Sequence, residues 1–362
     1  MKKICFFGGN LNHSGGTERV STAIANGLAK QGYDVVMLNL YEGLESFFEQ
    51  HPSIKNEQLY SKNVSMAKNY FSTVLKLRAF LKQHNIETLI VVESMLALFS
   101  LPAVIGLNIN HITWEHFNYN VDLGKKARRI ARHLSRLFSD SIITLTERDK
   151  EIWQQRTVGR AKIFAIPNPS PYPISDHTPT LNNKIVLAVG RLTYQKGFDL
   201  LLQAWAMLKT KPEAQDWILQ IVGEGEDKPL LDSLIHSLNL TDSVTIYPFS
   251  NQVSLYYQQA SIYCMSSRFE GLGMVLIEAQ SFGLPCVSFD CDIGPREIIE
   301  HGVSGYLCQA ENICTLAQKL EDTISLSEEK YVQMSESAKR VIENKFSPDI
   351  ILSQWKEVIQ IV

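Results

Sequence analysis

The sequence predicts an α/β protein built from two doubly wound domains. Three observations lead there. The chain has 362 residues, more than one ordinary core holds. Short apolar runs alternate with amphipathic helical stretches, the pattern of parallel strands joined by crossover helices. A proline-rich segment breaks the alternation near the middle, and it then starts again. With 45% apolar and 20% charged residues the chain is globular rather than disordered.

In the first half, residues 4–7, 35–40, 88–92, 112–114, 141–145 and 162–166 read as strands. Residues 17–31 read as a helix with Val20, Ile24 and Leu28 on one face. Around Pro167, Pro169, Pro171, Pro173 and Pro179 the backbone is stiffened and donors are lost, which marks a linker at 168–183. Strands then resume at 185–189, 217–222, 244–247, 262–265 and 285–289. The expected division is a first domain of residues 1–167, joined by an amphipathic final segment at 348–362, and a second domain of residues 184–347. Ligands in such sheets bind at the carboxyl ends of strands, so two facing sheets imply a cleft between those ends.

Charge and cysteine narrow the class. Residues 1–180 carry 21 Lys and Arg against 15 Asp and Glu, and the rest 14 against 23. A basic first half favours an anionic surface or ligand, although such a difference also arises by chance. The six cysteines have no metal-ligand spacing and read as free thiols in a reducing compartment. The apolar run after Lys2-Lys3 stops at Gly8-Gly9, too short for a signal core. The longest apolar stretch, 95–107, is shorter than a membrane span and holds Pro102. A cytoplasmic protein without a transmembrane helix is expected.

Four constellations fall at predicted strand ends. Gly15-Gly16-Thr17-Glu18-Arg19 follows the first strand; glycines there let backbone amides approach a diphosphate, or simply make a strand-to-helix turn. Gly190-Arg191, with Lys196-Gly197, places a rigid guanidinium fork and a mobile ammonium after a buried strand, suited to a departing diphosphate or to a solvated basic loop. Glu270-Gly271-Leu272-Gly273-Met274 leads into a helix carrying Glu278. Free amides at that helix start receive phosphate or sugar oxygens. Glu278 sits among apolar neighbours and needs a partner, either ribose hydroxyls or a salt bridge. His116, after Trp114-Glu115, is placed to hydrogen-bond a sugar hydroxyl or to serve structurally. Asp290-Cys291-Asp292 matches a D-x-D metal motif but reads as polar strand-end residues, so no metal and no cofactor are expected.

These motifs resemble glycosyltransferase family 4, the retaining enzymes with the GT-B fold of two Rossmann-like domains facing a central cleft. The resemblance covers essentially the whole chain and rests on residues 15–19, on Gly190-Arg191 with Lys196-Gly197, and on Glu270 and Glu278 as the family's E-x7-E. It implies that Arg191 and Lys196 hold the donor diphosphate, Glu270 the transferred sugar, Glu278 the ribose and Phe249, after Pro248, the base. It also implies that His116 faces the donor sugar. Gly15, Gly16, Gly190, Gly271, Leu272, Gly273 and Met274 complete the donor site. Trp114-Glu115-His116 and Gly294-Pro295-Arg296-Glu297-Ile298 resemble the bacterial branch that adds galactose or N-acetylgalactosamine to lipid-linked oligosaccharides, O-antigen or lipopolysaccharide. That implies a UDP-sugar donor, an undecaprenyl-diphosphate or lipopolysaccharide acceptor, front-face attack and no nucleic-acid partner. An epimerase of the same architecture and a non-catalytic nucleotide-sugar-binding protein are the alternatives.

Two basic helical stretches in the first half are the candidates for the acceptor and for an anionic membrane surface. One contains Lys68; the other contains Lys125, Lys126, Arg128, Arg129 and Arg132. With Ile130, Leu134 and Leu137 expected inward and the cations outward, several surface charges suffice for peripheral attachment to the inner face of the cytoplasmic membrane. A solvated helix face is the ordinary alternative.

Overall fold

The computed structural model describes residues 2–122 and 124–360, and it divides into two compact units: residues 1–169 with 348–362, and residues 170–347. The first unit runs β1 (Lys3–Gly8), α1 (Gly16–Lys30), β2 (Asp34–Asn39), β3 (Lys55–Gln58), α2 (Tyr70–Gln83), β4 (Thr88–Val92), α3 (Ala97–Val104), β5 (Asn110–Trp114), α4 (Lys126–Phe138), β6 (Ser141–Thr144), α5 (Glu147–Arg156) and β7 (Lys162–Ala165). The second runs β8 (Ile185–Val189), α6 (Phe198–Leu208), β9 (Ile218–Val222), α7 (Lys228–Ser237), β10 (Val244–Tyr247), α8 (Val253–Gln259), β11 (Ile262–Met265), α9 (Met274–Ser281), β12 (Cys286–Asp290), α10 (Pro295–Ile298), β13 (Gly305–Gln309), α11 (Ile313–Ile324) and α12 (Glu328–Lys345). A last helix, α13 (Pro348–Gln360), belongs to the first unit.

Both sheets are parallel throughout. Their orders are β3-β2-β1-β4-β5-β6-β7 and β10-β9-β8-β11-β12-β13. Strands covered on both faces need apolar side chains on both, which is why β4 is an unbroken Thr-Leu-Ile-Val-Val run, all buried. Strand order reverses once in each sheet, between β1 and β4 and between β8 and β11. Crossovers leave in opposite directions there, and a crevice opens at the carboxyl ends of the two central strands.

Two strands lie outside the sequence expectation, β3 and β13. Both are edge strands with one neighbour each. An edge strand faces water along one side, so Lys-Asn-Glu-Gln forms β3 without the apolar signature of a central strand. The amphipathic final segment packs as expected, with Ile351, Leu352, Trp355, Val358 and Ile359 buried. The Trp355 ring meets Trp114 edge-on at 4.6 Å, and a Cβ at Gly27 would overlap Leu352. Residues 361 and 362 of that segment lie outside the described residues. No described helix is long and apolar enough to cross a membrane. All six thiols are free, five of them buried.

Trp355→Ala leaves a large void against β5, and such a truncation costs about 3–5 kcal/mol. Chemical denaturation is expected to show a loss of that size; a loss under 1 kcal/mol would mean that α13 is not part of the first unit's core.

Candidate active site

The second unit assembles its polar side chains at the β8/β11 crevice. Gly190 and Arg191 continue from β8, and a short turn, Tyr194–Lys196, brings the chain back. Gly197 follows with φ 60°, and a Cβ there would overlap the Ser266 carbonyl, so only glycine lets this turn lie against the chain leaving β11. The Lys196 stem crosses Gly190, and its ammonium meets Glu270 Oε1 at 2.6 Å. The Ser267 hydroxyl donates to the same oxygen at 2.6 Å. Both charges are largely buried, so each is the other's main compensation. Arg191 is exposed beside them and makes no ion pair among the described residues.

Arg268, absent from the sequence reading, ties the two loops together. It holds Asp199 through two bonds of 2.9 and 2.7 Å, donates to the Tyr194 carbonyl and lies over the Tyr194 ring at 4.1 Å. The rule that singled out Arg191, a cation directly after a buried strand, applies equally to Arg268 after β11.

Gly271 to Met274 form the turn into α9, with Gly273 at φ 90°, so the first amides of that helix have no intrahelical acceptor. Glu278 is buried within α9 and accepts a 2.9 Å bond from the Tyr257 hydroxyl. Burial and that carboxylate push the Tyr257 hydroxyl far above the usual tyrosine range, so it stays protonated and donates. Phe249 stands exposed after β10. Asp290 is paired with Arg296 at 2.6 Å.

In the first unit the chain after β5 departs from the expectation. Arg128 and Arg132 are not surface cations: they are 2% and 1% exposed. Arg132 donates from Nε to Glu115 at 2.9 Å and from its other nitrogens to the carbonyls of Asn118, Tyr119 and Val121. Arg128 pairs with Glu93 at 2.6 Å and lies over the Phe117 ring at 4.1 Å. The loop from 116 to 121 turns carbonyls inward, β5 ends on the buried Glu115 and β4 on the half-buried Glu93. A planar guanidinium satisfies both at once. Helix α4 is accordingly rotated from its expected setting. Arg128, Ala131, Arg132 and Ser135 face inward, while Ile130 (56% exposed), Leu137 and Phe138 face solvent with Lys126, Arg129 and His133. Lys68 and Lys125 are exposed as expected.

Glu115 is fully used, accepting from Ser94, Arg132 and the amides of His116 and Phe117. His116 packs on Trp114 at 4.4 Å; burial lowers it to about 4, leaving a neutral imidazole whose Nε2 is buried without a partner among the described residues. A Cβ at Gly15 would overlap the Glu18 carboxylate, which folds back over the start of α1, while Gly16 faces open space.

A model for group 1 glycosyl transferases matches residues 174–341, and a model for glycosyltransferase family 4 matches residues 14–170. A glycosyltransferase of Haemophilus influenzae is 40% identical over 359 residues, covering 99% of this chain and all of that one. The chain belongs to glycosyltransferase family 4. A Campylobacter jejuni α-1,4-N-acetylgalactosaminyltransferase acting on an undecaprenol-diphosphate-linked glycan is 29% identical across 99% of this chain and 98% of its own. The crystal structure of Anabaena HepE in complex with UDP superposes over the full length of both chains, with a TM-score of 0.82 and 18% identity. Two parallel Rossmann-like sheets, the GT-B fold expected from the resemblance, are thus the fold of this glycosyltransferase.

The buried Arg132–Glu115 pair carries a prediction. Removing one partner strands the other charge, at a cost of about 3–5 kcal/mol, whereas Arg129 is exposed and its loss costs under about 1 kcal/mol. Arg132→Ala is expected to lower the melting midpoint sharply and Arg129→Ala hardly at all; equal effects would contradict the buried assignment.

Proposed function

We propose that this glycosyltransferase is a metal-independent, retaining hexosyltransferase. It moves galactose or N-acetylgalactosamine from a UDP-sugar to a lipid-linked glycan in bacterial surface polysaccharide or glycoprotein glycan assembly. The observation that carries the proposal is the Lys196–Glu270 pair at the β8/β11 crevice. In the free protein the two charges satisfy each other. An incoming diphosphate competes with Glu270 for Lys196, and Glu270 is released to accept bonds from the sugar hydroxyls. Lys196 and Arg191 then stabilise charge developing on the leaving diphosphate, where preorganised donors act most strongly. Amides at the start of α9 add to this, and Glu278, oriented by Tyr257, binds the ribose. The neutral His116 hydrogen-bonds the donor sugar. The named activity of the Campylobacter relative and the UDP in the Anabaena structure support the donor and acceptor classes.

Glu278→Gln is expected to weaken UDP binding by tenfold or more in calorimetry. Glu270→Gln is expected to lower the transfer rate while UDP affinity stays level or rises, because Lys196 is freed. If both variants lose UDP affinity equally, the division of roles is wrong.

Cationic charge on the diphosphate comes from Lys196 and Arg191, and Asp290 is occupied by Arg296. Activity is therefore expected to survive excess EDTA; loss on chelation with recovery in Mn²⁺ or Mg²⁺ would overturn metal independence.

The rotated α4 supports a membrane-facing role for the first unit. Helix α2 packs on α3 and α3 on α4. Their outer sides present Phe71 (79% exposed), Leu75, Ile105, Ile130 and Phe138, interspersed with Lys76, Lys82, Lys126 and Arg129. Each cation near an anionic surface contributes about 1 kcal/mol, and the apolar side chains add insertion. Co-sedimentation with anionic but not neutral liposomes is expected, weakened by salt and by Phe71→Ser with Phe138→Ser. Binding indifferent to lipid charge, salt and these changes would leave the face as ordinary surface.

A further inference from the structure

The first unit has its own crevice at the β1/β4 reversal, and its chemistry is opposite to that of the second. A cavity of about 150 Å³ opens there, room for about five waters. Phe6, Val92, Leu96 and Phe117 supply apolar surface, and the carboxylates of Glu18 and Glu93 supply charge. Asn10 and Asn39 also line it, but their amides are spent on Glu42, Asn12, Leu11, Gly43 and Glu57. The Glu18 carboxylate lies over the start of α1; burial foremost, with the negative charge of Glu93, raises it above its ordinary value against a backbone hydrogen bond and His13, which lower it.

Glu93 is the unusual residue. It follows directly on β4 with φ 86° and ψ 129°, a conformation that L side chains rarely adopt. Its amide donates to the Trp114 carbonyl, and its Oε1 takes the Arg128 guanidinium. Arg128, which also lies over Phe117, is 2% exposed, and its Nε and Nη1 have no partner among the described residues. A carboxylate pinned from behind by a buried guanidinium, on a strained strand end beside an apolar wall, is a fixed acceptor aimed at the crevice.

A phosphate is the wrong ligand for this place, because two carboxylates repel it. An apolar ligand would strip water from both carboxylates and offer their open oxygens no hydrogen bond in return. A ring with apolar C–H faces and several hydroxyl donors meets both requirements, through contact with Phe117 and Leu96 and bonds to Glu93 and Glu18. We propose that this crevice binds one uncharged sugar residue of the acceptor and excludes acidic sugars. The proposal rests on the transferase reading above and deepens it by naming the charge class of the acceptor's receiving sugar.

The test uses the full chain with methyl α-N-acetylgalactosaminide, methyl α-galactoside and galacturonate as probes, each read by saturation-transfer NMR in the presence of UDP. Calorimetric UDP affinity is measured alongside. At least one neutral glycoside is expected to bind at least tenfold more tightly than galacturonate. Glu93→Gln and Glu18→Gln are each expected to weaken that glycoside at least fivefold while UDP affinity is unchanged. Galacturonate binding as tightly as the neutral probes would overturn the proposal on the wild-type protein alone, whatever the folding of the variants. Neutral binding unaltered in Glu18→Gln, the half-buried position that carries no buried ion pair, would overturn it as well, as would failure of both neutral probes to bind. Absence of UDP binding to the wild-type protein is a different result, and it removes the transferase reading itself.

Discussion

The reversal of strand order at the middle of each sheet is the constraint on which the rest of this structure depends. Where crossovers leave in opposite directions, no helix covers the carboxyl ends of the two central strands. Backbone amides, short loops and polar side chains collect there because solvent and ligand can reach them. In the second unit the two loops are those after β8 and β11, and they bring Lys196 to Glu270. In the first they are those after β1 and β4, and they bring Glu18 and Glu93 to one cavity.

The same reversal of strand order therefore supports different electrostatics in the two units. A cation held by a single carboxylate is ready to exchange that partner for a phosphate at little cost, since one charge-assisted bond replaces another. Two carboxylates backed by a buried arginine do the reverse and reject anions. The first half of the chain is basic although its crevice holds two carboxylates, and the second is acidic although its crevice holds Lys196 and Arg191 as well as Glu270 and Glu278. Net charge describes the outer surface of each unit, while a crevice is governed by the few side chains whose water has been removed.

Buried arginines are the second theme. Arg128 and Arg132 organise the loop after β5 because that loop aims carbonyls inward and flanks the buried Glu115 and the half-buried Glu93. Their fork geometry answers several acceptors from one side chain, which a lysine's single ammonium cannot do. Turning them inward puts Ile130, Leu137 and Phe138 outward, so the surface of α4 is both apolar and cationic.

The central strands, the helices between them and the motif positions at strand ends are legible in the amino-acid order alone. A parallel strand covered on both faces must be apolar throughout, and 88–92, 185–189 and 262–265 are legible for that reason. That order also disclosed Lys196, Glu270 and Glu278, because the first two lie in the loops that follow such strands and Glu278 stands out against its apolar helical flanks. The edge strands β3 and β13 emerge only in the folded chain, because each pairs on one side alone. The tertiary structure alone decided the setting of α4, where apolar periodicity pointed one face inward and the demand of buried carbonyls and carboxylates turned another. It alone disclosed Arg268 and Glu93 as well. Their significance lies in partners up to 74 residues away, Tyr194 and Arg128 among them, and in a backbone angle imposed by the end of β4.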